Sequence, residues 1–102
     1  MKPRVAVIIL NWNGARLLRR FLPSVVANTH DELGRVIVAD NGSTDESLRV
    51  LSEEFPEVEV LRFAENYGFA EGYNRAVAAC SDYPYVLLLN SDVKTPQGWL
   101  QP

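Results

Sequence analysis

Acidic side chains directly follow two apolar runs of the sequence. Asp40 comes after residues 36–39, and Asp92 comes after residues 86–89 with an intervening Asn-Ser pair. A carboxylate just beyond a strand end suits Mg²⁺ or Mn²⁺, which take one or two carboxylates and complete their shell with water and phosphate oxygens. Asp92 is therefore a candidate metal ligand. Asp40 is a candidate acceptor of hydrogen bonds from a base N–H or from ribose hydroxyls.

Each candidate also has a purely structural interpretation. Asp40 and Asp92 could simply form turns, since aspartate is common there. Trp12 offers an aromatic face to a base, but a tryptophan is more often packed. Cys80 lies on the apolar stripe of a predicted helix, so we assign it to the core. What favours a site is the shared position of the polar residues at the ends of predicted strands.

The elements that must position these residues alternate along the chain. Short apolar runs at 5–10, 36–39, 58–63 and 85–89 predict strands, and the segments between them have helical periodicity. Parallel strands joined by such helices form right-handed crossovers. The predicted fold is therefore α/β, a Rossmann-like, doubly wound and mainly parallel sheet with the order β-α-β-α-β-α-β.

Helix caps and inward faces follow from the same pattern. Asn13 is the predicted cap of the first helix, and Ser43 with Glu46 forms a predicted capping box for the second. Phe69 is the first residue of the predicted inward face of the third helix, which spans residues 68–81. Residues 86–89 are predicted to be buried on both faces of the sheet.

In open α/β sheets, ligands bind at the carboxyl ends of the strands, where the strand order reverses. If the order is 3-2-1-4, the ends of strands 1 and 4 flank this point. Asp92 would then lie beside Asn11 and Trp12, with Asp40 one strand away. The loop after strand 3 ends in Gly68, which we include among the candidate binding residues.

Composition excludes several classes of protein. A chain of 102 residues supports one domain, and its net charge of −3 argues against nucleic-acid binding. No apolar run is long enough to span a membrane. One cysteine fits a reducing compartment, so we predict a cytoplasmic protein. The sequence contains neither GxxxxGK[ST] nor GxGxxG, which argues against a P-loop NTPase and a dinucleotide-dependent dehydrogenase.

Four motifs in order resemble a known family. VAVIILNWNG, VIVADNGSTDES, ENYGFAEGYNRA and VLLLNSDV look like the nucleotide-binding half of a family 2 glycosyltransferase of GT-A fold. The residues of these motifs, in particular ADNGSTD and NYGFAEGYN, are most similar to those of the rhamnosyltransferase-like branch. The resemblance covers residues 1–102, which would be the nucleotide-sugar-binding part of a domain truncated at its C-terminus.

The resemblance implies roles for individual residues. Leu10 (through its backbone), Asn11 and Trp12 would hold the nucleotide, and Asp40 would contact its base. The family's DxD motif maps onto residues 90–92.

In that motif the first acid is replaced by Asn90, which would bind the nucleotide as a neutral group. Asp92 is then the one carboxylate left to hold a divalent cation, Mg²⁺ or Mn²⁺.

The implied reaction is inverting sugar transfer from a UDP- or dTDP-sugar, with dTDP-rhamnose as one candidate, to a saccharide or lipid-linked acceptor. An Asp or Glu beyond Pro102 is expected to act as the base, so the fragment alone is expected to be inactive. Peripheral association of the full-length protein with the inner face of the membrane is a further expectation. The simplest interpretation of the face that carries Arg16, Arg19 and Arg20 is a solvated helix surface, and contact with a membrane surface is the alternative.

Two other functions remain open from the residues alone. A nucleotidyltransferase would carry a Gly-rich, basic loop after strand 1, and Asn13-Gly14-Ala15-Arg16 is a poor version of one. A non-catalytic flavodoxin- or receiver-like module would use its acids in signalling or turns, but a receiver needs an acidic pair after strand 1.

Overall fold

Residues 4–29 and 34–89 are described by the computed structural model of the chain, and they form four strands and three helices in alternation. In chain order these are β1 (Val5–Asn11), α1 (Ala15–Asn28), β2 (Gly34–Asp40), α2 (Ser47–Glu54), β3 (Glu59–Arg62), α3 (Phe69–Ala79) and β4 (Tyr85–Leu89). The predicted element order is confirmed.

The four strands form one parallel sheet in the order β3-β2-β1-β4. In the register, Asn11 lies opposite Asp40, and Ile9 lies opposite Leu89. The strand order therefore reverses at β1, which has β2 on one side and β4 on the other. The predicted 3-2-1-4 order is confirmed, and so is the doubly wound α/β fold.

Both faces of the sheet are covered by helices. Ile9 and Val38 pack with the buried faces of α1 and α2, whereas Ile8 and Ile37 pack with Tyr73 and its neighbours on α3. Successive residues of a strand point to opposite faces. This two-sided burial explains why β1 and β2 are continuous apolar runs rather than alternating ones.

The helices are short and amphipathic. They have 14, 8 and 11 residues, and α1 buries Leu18, Leu22 and Val25 at helical spacing. None of the helices in the described ranges is long and apolar enough to cross a bilayer. On the water-facing side, Arg19 bridges α1 to α2 through Glu46 and Glu54, each at 3.0 Å.

Several predicted inward-facing residues are not buried. Phe69 is 68% exposed and Val77 is 39% exposed, so the predicted stripe of α3 is wrong at these two positions, although Cys80 is buried as predicted. On β4, Tyr85 and Leu88 are 61% and 48% exposed. Full burial of β4 was therefore also a wrong prediction, because the described helices cover β1 and β2 more completely than this edge strand.

Candidate functional site

The loops that follow β1, β2 and β3 are held together at the carboxyl edge of the sheet. The Asn41 N–H donates to the carbonyl of Asn11 at 2.7 Å, and the Phe63 N–H donates to the carbonyl of Asp40 at 2.9 Å. These backbone bonds continue the pairing of the strands past their ends. They bring the loops 12–14, 41–46 and 63–68 to the point where the strand order reverses, which is where ligands bind in sheets of this type.

Asp40 is 1% exposed, and its carboxylate accepts hydrogen bonds from its own chain. Oδ1 accepts from Asn11 Nδ2 at 3.0 Å and from Ser43 Oγ at 2.7 Å, and Oδ2 accepts from the Ser43 N–H at 3.0 Å. Such bonds offset the cost of burying a carboxylate. The partners of Asp40 are thus protein groups, and its contact with a nucleotide base stays a prediction.

The amide of Asn11 is oriented by Asp40. A carboxylate only accepts hydrogen bonds, so Asn11 turns Nδ2 toward it. Asn11 Oδ1 is buried without a hydrogen-bond partner in the described part of the chain, and a Cβ added to Gly14 would lie 2.5 Å from this oxygen. Glycine at position 14 therefore lets α1 begin directly beside the Asn11 amide.

Asn13 does not cap α1 as predicted. The N-cap position belongs to Gly14, without a side-chain cap. Asn13 has a left-handed backbone (φ 49°), and its Oδ1 accepts from the N–H groups of Thr44 at 2.7 Å and Asp45 at 3.1 Å. Asparagine tolerates this backbone conformation better than most residues. Its side chain joins the loop after β1 to the loop after β2.

Asp45 performs the capping that was predicted for two other residues. Its Oδ2 accepts from the Ala15 N–H of α1 at 3.2 Å, and its Oδ1 accepts from the Ser47 N–H of α2 at 2.9 Å. The predicted capping box of Ser43 and Glu46 is therefore wrong. The pKa of the Asp45 carboxyl lies below its usual value. Desolvation by itself would raise this pKa, but the hydrogen bonds from Ser47 and Ala15 stabilise the charged form and lower it.

Asn41 connects β2 to the loop after β3, and no role was predicted for it from the sequence. Its Nδ2 donates to Asn66 Oδ1 and to the Gly68 carbonyl, both at 3.1 Å, and its Oδ1 accepts from the Tyr67 N–H at 3.0 Å. Gly42 follows with φ +75°, and a Cβ there would lie 2.5 Å from the backbone of Glu65. We call the six residues that join these loops the polar brace: Asn11, Asn13, Asp40, Asn41, Ser43 and Asp45.

The structure places Leu10 and Gly68 near the brace. Leu10 is partly buried under α3, where a Cβ on Gly72 would lie 3.1 Å from its methyl groups. Gly68 has φ +82° with open space around it, so its backbone conformation rather than crowding requires glycine. Both residues lie at the predicted edge, and their contacts with a nucleotide stay predictions.

Trp12 is exposed although its two neighbours are fixed. Its side chain is 54% exposed, while Asn11 and Asn13 on either side belong to the polar brace. The indole therefore projects from a backbone that is held on both sides. An exposed aromatic ring held in this way is able to stack on a base or to pack against a sugar.

A second exposed aromatic residue, Phe69, lies at the same edge. It begins α3 directly after Gly68, and its ring packs edge-on against Tyr73 with a centroid distance of 4.9 Å. The Tyr73 hydroxyl donates to the carbonyl of Leu89 at 3.2 Å, and burial raises the pKa of this hydroxyl. Sequence reasoning missed Phe69 because helical periodicity assigned it to the core. We call Trp12 and Phe69 the aromatic rim.

The predicted metal ligand Asp92 and its neighbour Asn90 lie outside the described residues. Within the ranges 4–29 and 34–89, no group of three or more His, Cys, Asp or Glu side chains is placed to hold a metal ion. The carboxylates of Asp40 and Asp45 at this edge already accept hydrogen bonds from the protein. The described residues therefore do not form a metal site by themselves.

An open cavity of about 570 Å³ lies at the opposite end of the sheet. Its charged lining residues are Arg4, Arg35, Glu59 and Asp82, and Arg35 pairs with Glu59 at 3.3 Å. The charges balance, so this cavity does not favour an anionic ligand such as a nucleotide. The carboxyl edge remains the better candidate.

The chain matches the family model described as Glycosyl transferase family 2 over residues 6–102. It is also similar to an uncharacterized glycosyltransferase of Nostoc sp. strain PCC 7120, with 35% identity over 96 residues, which are 91% of this chain and 30% of that protein. A more distant relative is the N-acetylglucosaminyl-diphospho-decaprenol L-rhamnosyltransferase of Mycobacterium tuberculosis, at 28% identity over 90% of this chain and 33% of that protein. The chain thus spans about a third of the length of these relatives.

Solved structures show the same fold. A mannosyltransferase from Pyrobaculum calidifontis, in complex with GDP-Man and Mn²⁺, matches with a TM-score of 0.72 and 24% identity, covering 96% of this chain and 30% of that one. This likeness confirms the α/β fold.

Proposed function

Because the chain belongs to glycosyl transferase family 2, we propose that the carboxyl edge of its sheet binds a nucleoside diphosphate sugar, the donor of a glycosyl transfer reaction. One observation carries the proposal: an exposed Trp12 projects from a braced loop at the point where the strand order reverses. Family membership favours this function over a nucleotidyltransferase and over a non-catalytic α/β module.

We assign the nucleotide to the loop after β1. Trp12 would pack against the base, and the backbone of Leu10 would contact the nucleotide. Asn11 and Asp40 are almost fully buried, so we give them first a positioning role, in which their hydrogen bond fixes the loop that carries Trp12. A direct bond from the base to Asp40 would require the Ser43 loop to move.

The diphosphate would lie toward the end of β4, where Asn90 and Asp92 follow Leu89 in the sequence. A divalent cation held by Asp92, Mg²⁺ or Mn²⁺, would neutralise charge on the departing nucleoside diphosphate. Asn90 would contribute a neutral hydrogen-bonding group, because an amide carries no charge to share with the cation.

The proposed reaction inverts the anomeric centre. An acceptor hydroxyl would be deprotonated by an Asp or Glu base, expected beyond Pro102, and would attack the anomeric carbon in line with the departing diphosphate. Residues 1–102 would then supply donor binding and no turnover of their own.

The donor and acceptor are proposed from two lines of support. The resemblance of the four motifs to the rhamnosyltransferase-like branch favours a UDP- or dTDP-sugar, with dTDP-rhamnose as one candidate. The name of the mycobacterial relative describes rhamnosyl transfer to a lipid-linked saccharide, which supports a saccharide or lipid-linked acceptor. The mannosyltransferase structure contains GDP-Man, so GDP is included in the thermal-shift test.

Thermal shift of the 102-residue chain with UDP, dTDP, GDP and ADP, each with and without Mn²⁺, tests the proposal. We expect a pyrimidine diphosphate to raise the melting temperature, since a ligand that binds the folded state stabilises it. Trp12→Ala should remove this shift. Tyr85→Ala, which truncates an equally exposed aromatic residue at the start of β4, should keep it. A chain whose melting temperature responds to none of the four nucleotides would contradict the proposal.

A further inference from the structure

We propose that Phe69 forms the part of this donor site that contacts the sugar ring, an assignment that rests on the proposed function. Phe69 is the most exposed large apolar side chain in the part of the chain that the structure describes, at 68%. Leaving a phenylalanine in water forgoes the stabilisation that its burial would bring. Its position at the carboxyl edge places the ring where a bound ligand could contact it.

The position of Phe69 is tied to the last residue of β4. Its ring lies 4.9 Å from that of Tyr73, at an interplanar angle of 76°. Tyr73 is 7% exposed, and its hydroxyl is anchored on the carbonyl of Leu89 at 3.2 Å. Phe69 is therefore held in place by a buried tyrosine that reaches the strand leading to Asn90 and Asp92.

The first turn of α3 is also held close to β1 and β2. A Cβ on Gly72 would lie 2.9 Å from Asn41 Nδ2 and 3.1 Å from the methyl groups of Leu10. The Gly68 carbonyl accepts a hydrogen bond from Asn41 Nδ2 at 3.1 Å. The helix start that carries Phe69 is thus fixed to the same loops as the polar brace.

The two residues of the aromatic rim belong to different sides of the edge. Trp12 directly follows β1, whereas Phe69 is linked through Tyr73 to β4. A base packed on Trp12, with its diphosphate toward the end of β4, leaves the sugar on the β4 side. Pyranose rings present a face of C–H groups, and aromatic side chains with fixed positions are suitable surfaces for it.

The experiment compares each nucleoside diphosphate with its sugar conjugate. Dissociation constants of the 102-residue chain are measured by NMR titration for UDP against UDP-glucose and UDP-N-acetylglucosamine, and for dTDP against dTDP-rhamnose. The variants are Phe69→Ala, Phe69→Tyr as the one that keeps the ring, and Tyr85→Ala as the matched exposed aromatic control.

We expect Phe69→Ala to weaken binding of at least one nucleotide sugar by about three- to tenfold while its diphosphate changes less than about twofold. Phe69→Tyr and Tyr85→Ala should bind like the wild type. Equal effects of Phe69→Ala on diphosphate and sugar conjugate, or no effect on any pair, would overturn the assignment and leave the proposed function intact. Failure of the wild-type chain to bind any of the nucleotides would overturn both.

Discussion

The three buried residues of the polar brace and the two residues of the aromatic rim lie at the same edge of the sheet but have opposite exposure, whereas Asn13 and Asp45 of the brace are exposed. Asn11, Asp40 and Asn41 are 1–2% exposed, whereas Trp12 and Phe69 are 54% and 68% exposed. This reverses the usual preference for apolar residues inside and polar residues outside. The polar residues that the sequence suggests for ligand binding use their hydrogen bonds to hold the loops together. Trp12 and Phe69, whose residue types are usually packed in a core, are exposed.

The difference separates two kinds of variant. Changes in the brace and in the loops that it joins should lower the free energy of unfolding, because they remove hydrogen bonds between the loops or force the loops apart. Changes in the rim should alter ligand binding with little effect on folding. Three substitutions, one in a loop that the brace joins and two in the brace itself, test this side of the comparison in order of decreasing expected effect.

Gly42→Ala should be the most damaging. The φ of +75° is unfavourable for alanine, and the new Cβ would lie 2.5 Å from the backbone of Glu65. We expect the free energy of unfolding, measured by urea denaturation, to fall by about 3 kcal/mol or more. Gly68→Ala is the control without crowding, with φ +82° and nothing within 4 Å, and should lose less, about 2 kcal/mol from backbone strain alone. Equal losses would show that crowding between the loops after β2 and β3 is unimportant.

Asn13→Ala should have an intermediate effect. It removes the acceptor for the N–H groups of Thr44 and Asp45 and places alanine in a left-handed conformation. We expect a loss of about 2 kcal/mol in the same denaturation experiment. Asn74→Ala on the exposed side of α3 is the control and should change stability by less than about 0.5 kcal/mol. Asn13→Ala matching that control would mean that the two loops are not joined through this side chain.

Asp45→Asn should produce the smallest effect, and the effect should depend on pH. The pKa of Asp45 is lowered in the folded state, so its charge stabilises folding above the unfolded pKa, and this stabilisation is lost as pH falls through the folded value. The difference in unfolding free energy between wild type and Asp45→Asn should therefore be present at neutral pH and shrink in acid. A difference that stays constant from pH 7 to pH 2 would contradict the cap on α1 and α2.

The fold could be predicted from the sequence because it depends on periodicity. Continuous apolar runs such as residues 5–10, separated by helical segments, specify a parallel sheet covered on both faces. Local signals were less reliable at the caps. Asn13 and Ser43 are good cap residues by type, but Ser43 bonds to Asp40 and to the Asn13 N–H, and Asn13 bonds to Thr44. The contacts between residues 13 and 43–44 join positions about 30 residues apart in the chain, and such contacts depend on the tertiary fold.

Periodicity also failed to predict burial correctly for residues at the margins of the sheet. Phe69 has the spacing of an inward-facing residue, yet it lies in the first turn of α3, at the edge where the sheet ends. Leu88 belongs to an apolar run but lies on an edge strand, where the described helices cover less of the sheet. The meeting of the loops after β1, β2 and β3 at one edge could be predicted from the strand order, and the binding role of that edge stays a prediction. Which polar residues are buried and which aromatic residues are exposed could be seen only in the structure.

NMR mapping of UDP and then dTDP on the isotope-labelled chain tests whether the carboxyl edge of the sheet binds a nucleotide. We expect at least one of them to shift the indole N–H signal of Trp12 and the backbone signals of residues 10–14, while the signals of Arg4, Arg35 and Tyr85 at the other end of the sheet stay unchanged. Shifts confined to that other end, or no shifts with either nucleotide at millimolar concentration, would contradict binding at the carboxyl edge.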